Sequence, residues 1–215
     1  MKGAAQDWPE GLHRTLKAAG VRQVAYVPDA GHKRLIELCL ADREIRAVVL
    51  SNEAEGMGLA GGAWLGGQRA ALLMQSSGVG NCINMLSLPL NCRMPFLTLV
   101  TMRGEWGEFN PWQVPMGAAT GAVLTAAGVH VRRADRPDEA AEIVAASADL
   151  AWRPGPRGNT EPGIAAQDAW AEFARDHPGS AYNFAWYGGM HPVSYSVASP
   201  YLMAVLGVQI GRAHV

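Results

Sequence analysis

The chain has 215 residues and a mass of 22.9 kDa, enough for one well-buried domain and a small additional piece. Apolar residues at 49% against 17% charged exclude wholesale disorder. A net charge of −1 with no cluster of lysine or arginine excludes a nucleic-acid surface, which needs concentrated positive charge. Cys39, Cys82 and Cys92 lack CxxC spacing and lie among apolar residues, which predicts reduced, buried thiols of a cytoplasmic protein. The N-terminal "MKGAAQDWPEGLHRTL" has no apolar h-region of the signal-peptide kind.

From Asp7 to Ser147 strand-like and helix-like segments alternate. "DWPEGLHRTLKAAG" has apolar residues at helical spacing, a proline in its first turn and Gly20 as a stop. "RQVAYV" is a first strand, "PDAGH" a loop and "KRLIELCLADR" a helix. "IRAVVL" is a second strand, followed by the glycine-rich crossover "SNEAEGMGLAGGAWLGG". "RAALLMQ" is a third strand, "SSGVGN" a loop and "CINMLSLPLN" a helix. "PFLTLVTM" is a fourth strand, "RGEWGEFNPWQVP" a long polar and aromatic loop, and "MGAATGAVLTAAG" a small-residue helix. "VHVRRA" and "PDEAAEIVAASADLA" complete the series as a fifth strand and a closing helix. Near-continuously apolar strands separated by helical crossovers predict a parallel sheet covered on both faces. Ligands of such sheets bind beyond the carboxyl ends of the strands, so the stretches near Pro28, Glu53, Ser76 and Arg103 are where a site is expected.

The character changes after Leu150. "WRPGPRGNTEPG" makes residues 151–163 a linker by composition, and residues 164–215 carry aromatics and glycines without clear alternation. The apolar stretch Val197–Ile210 falls short of the ~20 residues that span a bilayer. The final "IGRAHV" matches one reading frame of a common sequencing adapter, so the tail is expected to be a chimeric or read-through product, the natural protein ending soon after Leu150. The other reading of the tail is a docking segment for a partner subunit.

The glycine-rich crossover poses the sharper question. Gly56, Gly58 and Gly61 spell GxGxxG, yet Asn52 to Glu55 separate them from the strand and no acid lies about 20 residues further on, so a dinucleotide fingerprint is disfavoured. As a helix start, Asn52 is a cap and Glu55 its capping-box partner. Glu53 then has no structural duty beyond a favourable place at the positive end of the helix dipole. Gly56, Gly58, Gly61 and Gly62 each cost on the order of 1 kcal/mol against alanine, which implies that another body packs closely against this helix.

"NEAEGMGLAGG", "LLMQSSGVGNCINMLSLPL", "VPDAGHKRLIEL" and "RGEWGEFNPWQVPMG", each following a predicted strand, together resemble the pyrimidine-binding (PYR) domain of thiamine-diphosphate-dependent 2-oxo-acid decarboxylases. The likeness is nearest to sulfopyruvate decarboxylase alpha subunits and phosphonopyruvate decarboxylases, and it spans roughly residues 6–150. It implies an α/β fold: a Rossmann-like three-layer domain with a mostly parallel sheet over residues 1–150, plus a C-terminal tail of uncertain structure. It implies that Glu53 is the catalytic glutamate, hydrogen-bonded to N1′ of the cofactor's aminopyrimidine and favouring the imino tautomer that takes the thiazolium C2 proton.

The resemblance also nominates Pro28, Asp29 and Ala30 as a loop contacting the pyrimidine, which on composition alone is an ordinary Pro-Asp turn. Ser76, Ser77, Gly78, Gly80 and Asn81 are nominated as further cofactor contacts. His32 is either a proton-transfer or substrate group, or a surface residue in the first turn of its helix. A 3-sulfo- or 3-phosphono-2-oxo acid carries a second anion, for which Arg103 is the first candidate and Lys33 and Arg93 weaker ones. Trp106 and Trp112 are expected to close over the site or line a subunit interface. Gln113-Val114 stands where relatives often carry Gln-His, a departure that sits less well with phosphonopyruvate.

No GDG, the mark of the domain that holds the diphosphate through Mg²⁺, occurs in the chain, and no metal ligands are expected in it. The implied function is the alpha subunit of a cytoplasmic hetero-oligomeric decarboxylase. It shares thiamine diphosphate with a beta subunit that holds the Mg²⁺, acts on a small anionic 2-oxo acid and has no membrane segment in residues 1–150. The alternatives are a non-catalytic PYR-like scaffold or regulatory subunit, and a nucleotide-binding α/β protein.

Overall fold

The computed structural model describes residues 8–105 and 107–153 and the backbone of residues 202–207. Six strands form one parallel sheet: β1 (Val21–Tyr26), β2 (Arg46–Val49), β3 (Arg69–Gln75), β4 (Phe96–Thr101), β5 (Val129–Ala134) and β6 (Leu202–Gly207), in the spatial order β2-β1-β3-β4-β6-β5. Gln75 ends β3 opposite Thr101 at the end of β4, so both strands deliver their chains to the same edge of the sheet.

Two apolar layers flank this sheet. On one face lie α1 (Trp8–Ala18), α2 (Lys33–Ala41) and α7 (Pro137–Ala151), whose Leu12, Leu16, Leu35, Ile36, Val144 and Ala148 meet Val24, Leu73, Leu97 and Leu99. On the other lie α3 (Glu55–Leu65), α4 (Ser76–Cys82), α5 (Ser87–Asn91) and α6 (Val114–Ala126). There Met57, Ala60, Val79, Cys82 and Leu124 meet Leu72, Met74, Phe96 and Val100. The helices that bury a clean stripe do so at helical spacing, as Pro9, Leu12 and Leu16 do in α1, which Gly20 ends at φ +78°. Among the described residues no helix is long and apolar enough to cross a membrane.

The expected α/β architecture is present, with four differences of detail. "SSGVGN" is the body of α4 rather than a loop; its weak helix propensity is overridden by packing against α6 and against the end of β3. The helix expected after it is instead a 3₁₀ turn, Asn84–Leu86, followed by the short α5, whose Pro89 stands in its first turn, where no helical N–H is needed. The second strand is an edge: Arg46 is exposed and Val49 is 60% exposed, so β2 is not covered on both faces. A sixth strand, β6, comes from the segment the sequence left unassigned and pairs in parallel with both β4 and β5.

The glycines of α3 divide into two kinds. A Cβ at Gly56 would lie 2.6 Å from Leu72 Cδ1 of β3, and one at Gly61 would lie 3.0 Å from Met94 Sδ, so these two let the helix close onto the sheet. Gly58 and Gly62 face open space. Gly56→Ala is therefore expected to destabilise the protein by about 1–3 kcal/mol through overpacking, whereas Gly62→Ala stabilises it by about 0.5–1 kcal/mol through helix propensity. Urea denaturation of the two variants beside the parent checks both signs.

Candidate active site

The connection from β1 to β2 runs through α2 on one face, and that from β3 to β4 through α4 and α5 on the opposite face. Adjacent strands β1 and β3 therefore send their chains apart, and a crevice opens at their carboxyl ends. The segments that follow β1, β2, β3 and β4, near Pro28, Glu53, Ser76 and Arg103, lie at this edge.

Glu53 sits in the turn between β2 and α3 and is only 7% exposed. Its Oε2 accepts a hydrogen bond of 2.8 Å from Asn81 Nδ2 of α4, and no cation among the described residues is paired with it. Gly78 makes this possible: a Cβ there would fall 2.6 Å from Glu53 Cγ and 2.5 Å from its Cδ. The turn itself is held by neighbours. Asn52 Oδ1 accepts from the Ala54 N–H at 2.9 Å, Glu55 Oε2 from the Ser51 N–H at 3.0 Å, and the Glu53 carbonyl from the Gly56 N–H at 3.0 Å. The expected capping box is thus displaced, with Ala54 at the cap position and Glu55 reaching back to Ser51. These bonds tie down the backbone around Glu53 and leave its carboxyl group to Asn81.

A second group assembles from the ends of β1 and β4. The Asp29 side chain is 5% exposed and accepts a hydrogen bond from Thr101 Oγ1. Gly31 permits this approach, since a Cβ would lie 2.7 Å from Thr101 Cγ2. His32, at the entry to α2, is 3% exposed, with Nδ1 at 3.5 Å from Asp29 Oδ2 and without a hydrogen-bond partner. The surface reading of His32 is therefore corrected: the imidazole is interior. Burial pushes its pKa well below the ordinary value, against the opposing charge of Asp29, so it is neutral at pH 7. Pro28 and Ala30 are exposed on the same loop, while Lys33 points outward at the start of α2.

Ser76 is fully buried, its Oγ accepting from the Arg103 N–H at 2.9 Å, which pins the start of α4 to the end of β4. Ser77 is half-buried; Gly80 is exposed, and a Cβ there would be 3.3 Å from Met116 Sδ of α6. The Arg103 guanidinium is paired side-on with Glu108, Nε and Nη2 each donating at 2.7 Å. Glu108, 3% exposed, also accepts from the Gly104 N–H at 3.0 Å and the Asn110 N–H at 2.9 Å. These donors hold its carboxyl down at about 2, the Arg103 pair contributing most.

Arg103 thus stands at the predicted edge but with two of its three nitrogens engaged, and Arg93 lies in the turn that leads into β4, at the far edge of the sheet. Trp112 is 71% exposed in the 3₁₀ turn Pro111–Gln113, and Trp106 lies outside the described residues. Sequence reasoning missed Thr101 and Glu108. The available signal for Glu108 was an acid in a loop punctuated by Gly104 and Gly107, both at φ +76°.

Residues 8–107 match the family described as "Thiamine pyrophosphate enzyme, N-terminal TPP binding domain". The chain is 37% identical over 148 residues to a protein named sulfopyruvate decarboxylase subunit alpha from Methanothermobacter thermautotrophicus, covering 68% of this chain and 90% of that one. It is 34% identical over 142 residues to the protein of the same name from Methanococcus maripaludis, covering 66% and 85% of the two chains. A protein named phosphonopyruvate decarboxylase from Streptomyces viridochromogenes is 37% identical over 111 residues, covering 51% of this chain and 28% of that one. Among solved structures, 2-oxoglutarate:ferredoxin oxidoreductase from Magnetococcus marinus superimposes with a TM-score of 0.58 at 9% identity, over 94% of this chain and 28% of that one. A putative thiamin diphosphate-dependent enzyme from Mycobacterium smegmatis gives 0.57 at 13%, over 97% and 33%. At these identities the two structures share the fold.

The Glu108 pair has a testable pH signature. The group titrates lower in the folded chain than its ordinary value of 4.5, so its stabilising contribution is complete above that pH and is lost as pH falls towards about 2. Wild type is expected to exceed Glu108→Gln in urea midpoint at neutral pH, with the gap closing across that acid window.

Proposed function

We infer the function from the premise that this chain belongs to the sulfopyruvate decarboxylase alpha-subunit family of thiamine pyrophosphate enzymes. It is the pyrimidine-holding half of a carboxy-lyase that removes CO₂ from an anionic 2-oxo acid, 3-sulfopyruvate or 3-phosphonopyruvate, and releases the aldehyde. The other half is a beta subunit, in keeping with the subunit names of the relatives; it holds the diphosphate and its Mg²⁺. The assembly is a hetero-oligomer of the cytoplasm.

The observation that carries this reading is the state of Glu53. A buried carboxyl group is normally matched by a cation or by several donors. Glu53 has one amide donor and no ion pair among the described residues, at the carboxyl ends of the strands, where ligands of such sheets bind. That is the donor set a ring nitrogen completes. Thiamine diphosphate, when bound, supplies the carbanion that attacks the oxo carbon and the electron sink that accepts the pair left by CO₂.

The chain's own residues supply the rest. Glu53 holds the aminopyrimidine by its carboxyl group, and Asn81 fixes which way that group faces. Gly78 keeps the wall of α4 thin enough for the carboxyl group to lie against it. The loop of Pro28, Asp29 and Ala30 borders the ring, with Asp29 anchored by Thr101. Ser76 ties the α4 wall to the substrate side, and Ser77 and Gly80 continue that wall. His32, interior and neutral, presents a nitrogen able to take or return a proton on the substrate side, and Arg103 meets the distal anion.

Co-expressed with a GDG-bearing partner, Glu53→Gln is expected to fold and assemble normally. It slows exchange of the C2 proton of bound cofactor for deuterium by about 10²-fold or more. An exchange rate equal to wild type would remove Glu53 from this role.

A further inference from the structure

The Arg103–Glu108 pair bears on which anionic acid the site accepts. A guanidinium that meets a distal anion is here engaged along its Nε–Nη2 edge by a carboxylate, and the pair does not involve Nη1. Glu108 is not a mobile surface acid. It is 3% exposed, and the backbone N–H groups of Gly104 and Asn110 fix both of its oxygens. The Asp29 carboxylate, 5% exposed, is a second negative group whose charge acts on Arg103. One buried carboxylate is therefore paired with the guanidinium, and the charge of a second acts on it from beyond ion-pair distance. The other cation on the strand-end loops singled out for this site, Lys33, is exposed.

In such a setting charges are poorly screened, and each further negative charge on an incoming group is repelled. A sulfonate carries one negative charge, and a phosphonate carries about −2 at a pH of about 8. We propose that Glu108 is a positioning and charge-balancing residue: it fixes the Arg103 guanidinium with Nη1 as the recognising edge and cancels its charge, so that the site selects a sulfonate over a phosphonate. The selection rests on the decarboxylase reading above.

The test compares kcat/KM for 3-sulfopyruvate and 3-phosphonopyruvate in the assembled heteromer at about pH 8. Wild type is expected to prefer 3-sulfopyruvate by about tenfold or more. Glu108→Gln, which removes the charge, moves the ratio by about tenfold towards the phosphonate. Glu108→Asp keeps the charge and therefore keeps the preference, while raising KM for both acids. A purely structural Glu108 would lower activity on both acids alike in either variant. An unchanged ratio in Glu108→Gln, or a wild-type preference for 3-phosphonopyruvate, overturns the proposal. Should Glu108→Gln fail to assemble, inhibition of wild type by 3-sulfopropanoate and 3-phosphonopropanoate decides, with tighter binding of the sulfonate expected and tighter binding of the phosphonate overturning the proposal. Release of CO₂ from neither acid would instead strike at the decarboxylase reading itself.

Discussion

The bond from Asn81 to Glu53 is the contact on which the site depends. It joins the turn after β2 to the helix after β3, across the end of β1 that lies between those strands in the sheet. Withdrawing a carboxyl group from water is costly unless something replaces the lost hydration, and one amide replaces only part of it. The remainder of the chain keeps that singly bonded group in place. Asn52, Glu55 and Ser51 fix the backbone around it, and the α3 helix is locked to β3 through the contact of Gly56 with Leu72. A strained or partly unsatisfied polar group held by an over-determined surround is the pattern of functional sites.

Close approach is the second constraint, and glycine meets it where a turn and a neighbour leave no room. Gly78 admits the Glu53 side chain, and Gly117 of α6 lies directly against the Arg103 carbonyl. Gly104, at φ +76°, leaves only 2.6 Å between an added Cβ and the Gln113 carbonyl oxygen. The β4–α6 loop is folded back on the start of α6 by these contacts, and Glu108 organises its interior with four accepted hydrogen bonds. Glu105 continues the same loop outward to Arg133 at the end of β5, at 2.6 Å. This end of the candidate site is thus built from one self-bonded loop rather than from a rigid helix.

Much of this was legible in the sequence, for reasons that are local. Apolar runs such as "RAALLMQ" and "PFLTLVT" can only be buried parallel strands when helices separate them, and that alone placed Pro28, Glu53, Ser76 and Arg103 on one edge. What was not legible depends on distant partners. His32 is interior because Asp29 is held by Thr101, 72 residues further along the chain. "SSGVGN" reads as a loop because serine, glycine and asparagine disfavour helices. It is helical because only small residues fit between Glu53 and α6. Arg103 is visible as a cation at the right place, but its pairing with Glu108 needs the two left-handed glycines to turn the loop. β6 was hidden by its context, since its apolar run lies in a glycine- and aromatic-rich tail whose sequence has no clear strand–helix alternation.

The central claim is that the Glu53 carboxyl group is completed by a ring nitrogen of the cofactor. The most direct measurement is the ¹⁵N resonance of N1′ in isotope-labelled thiamine diphosphate bound to the assembled protein. Wild type should move that resonance well away from its position in free cofactor, and Glu53→Ala, with cofactor still bound, should return it. The same resonance position in both proteins would contradict the account.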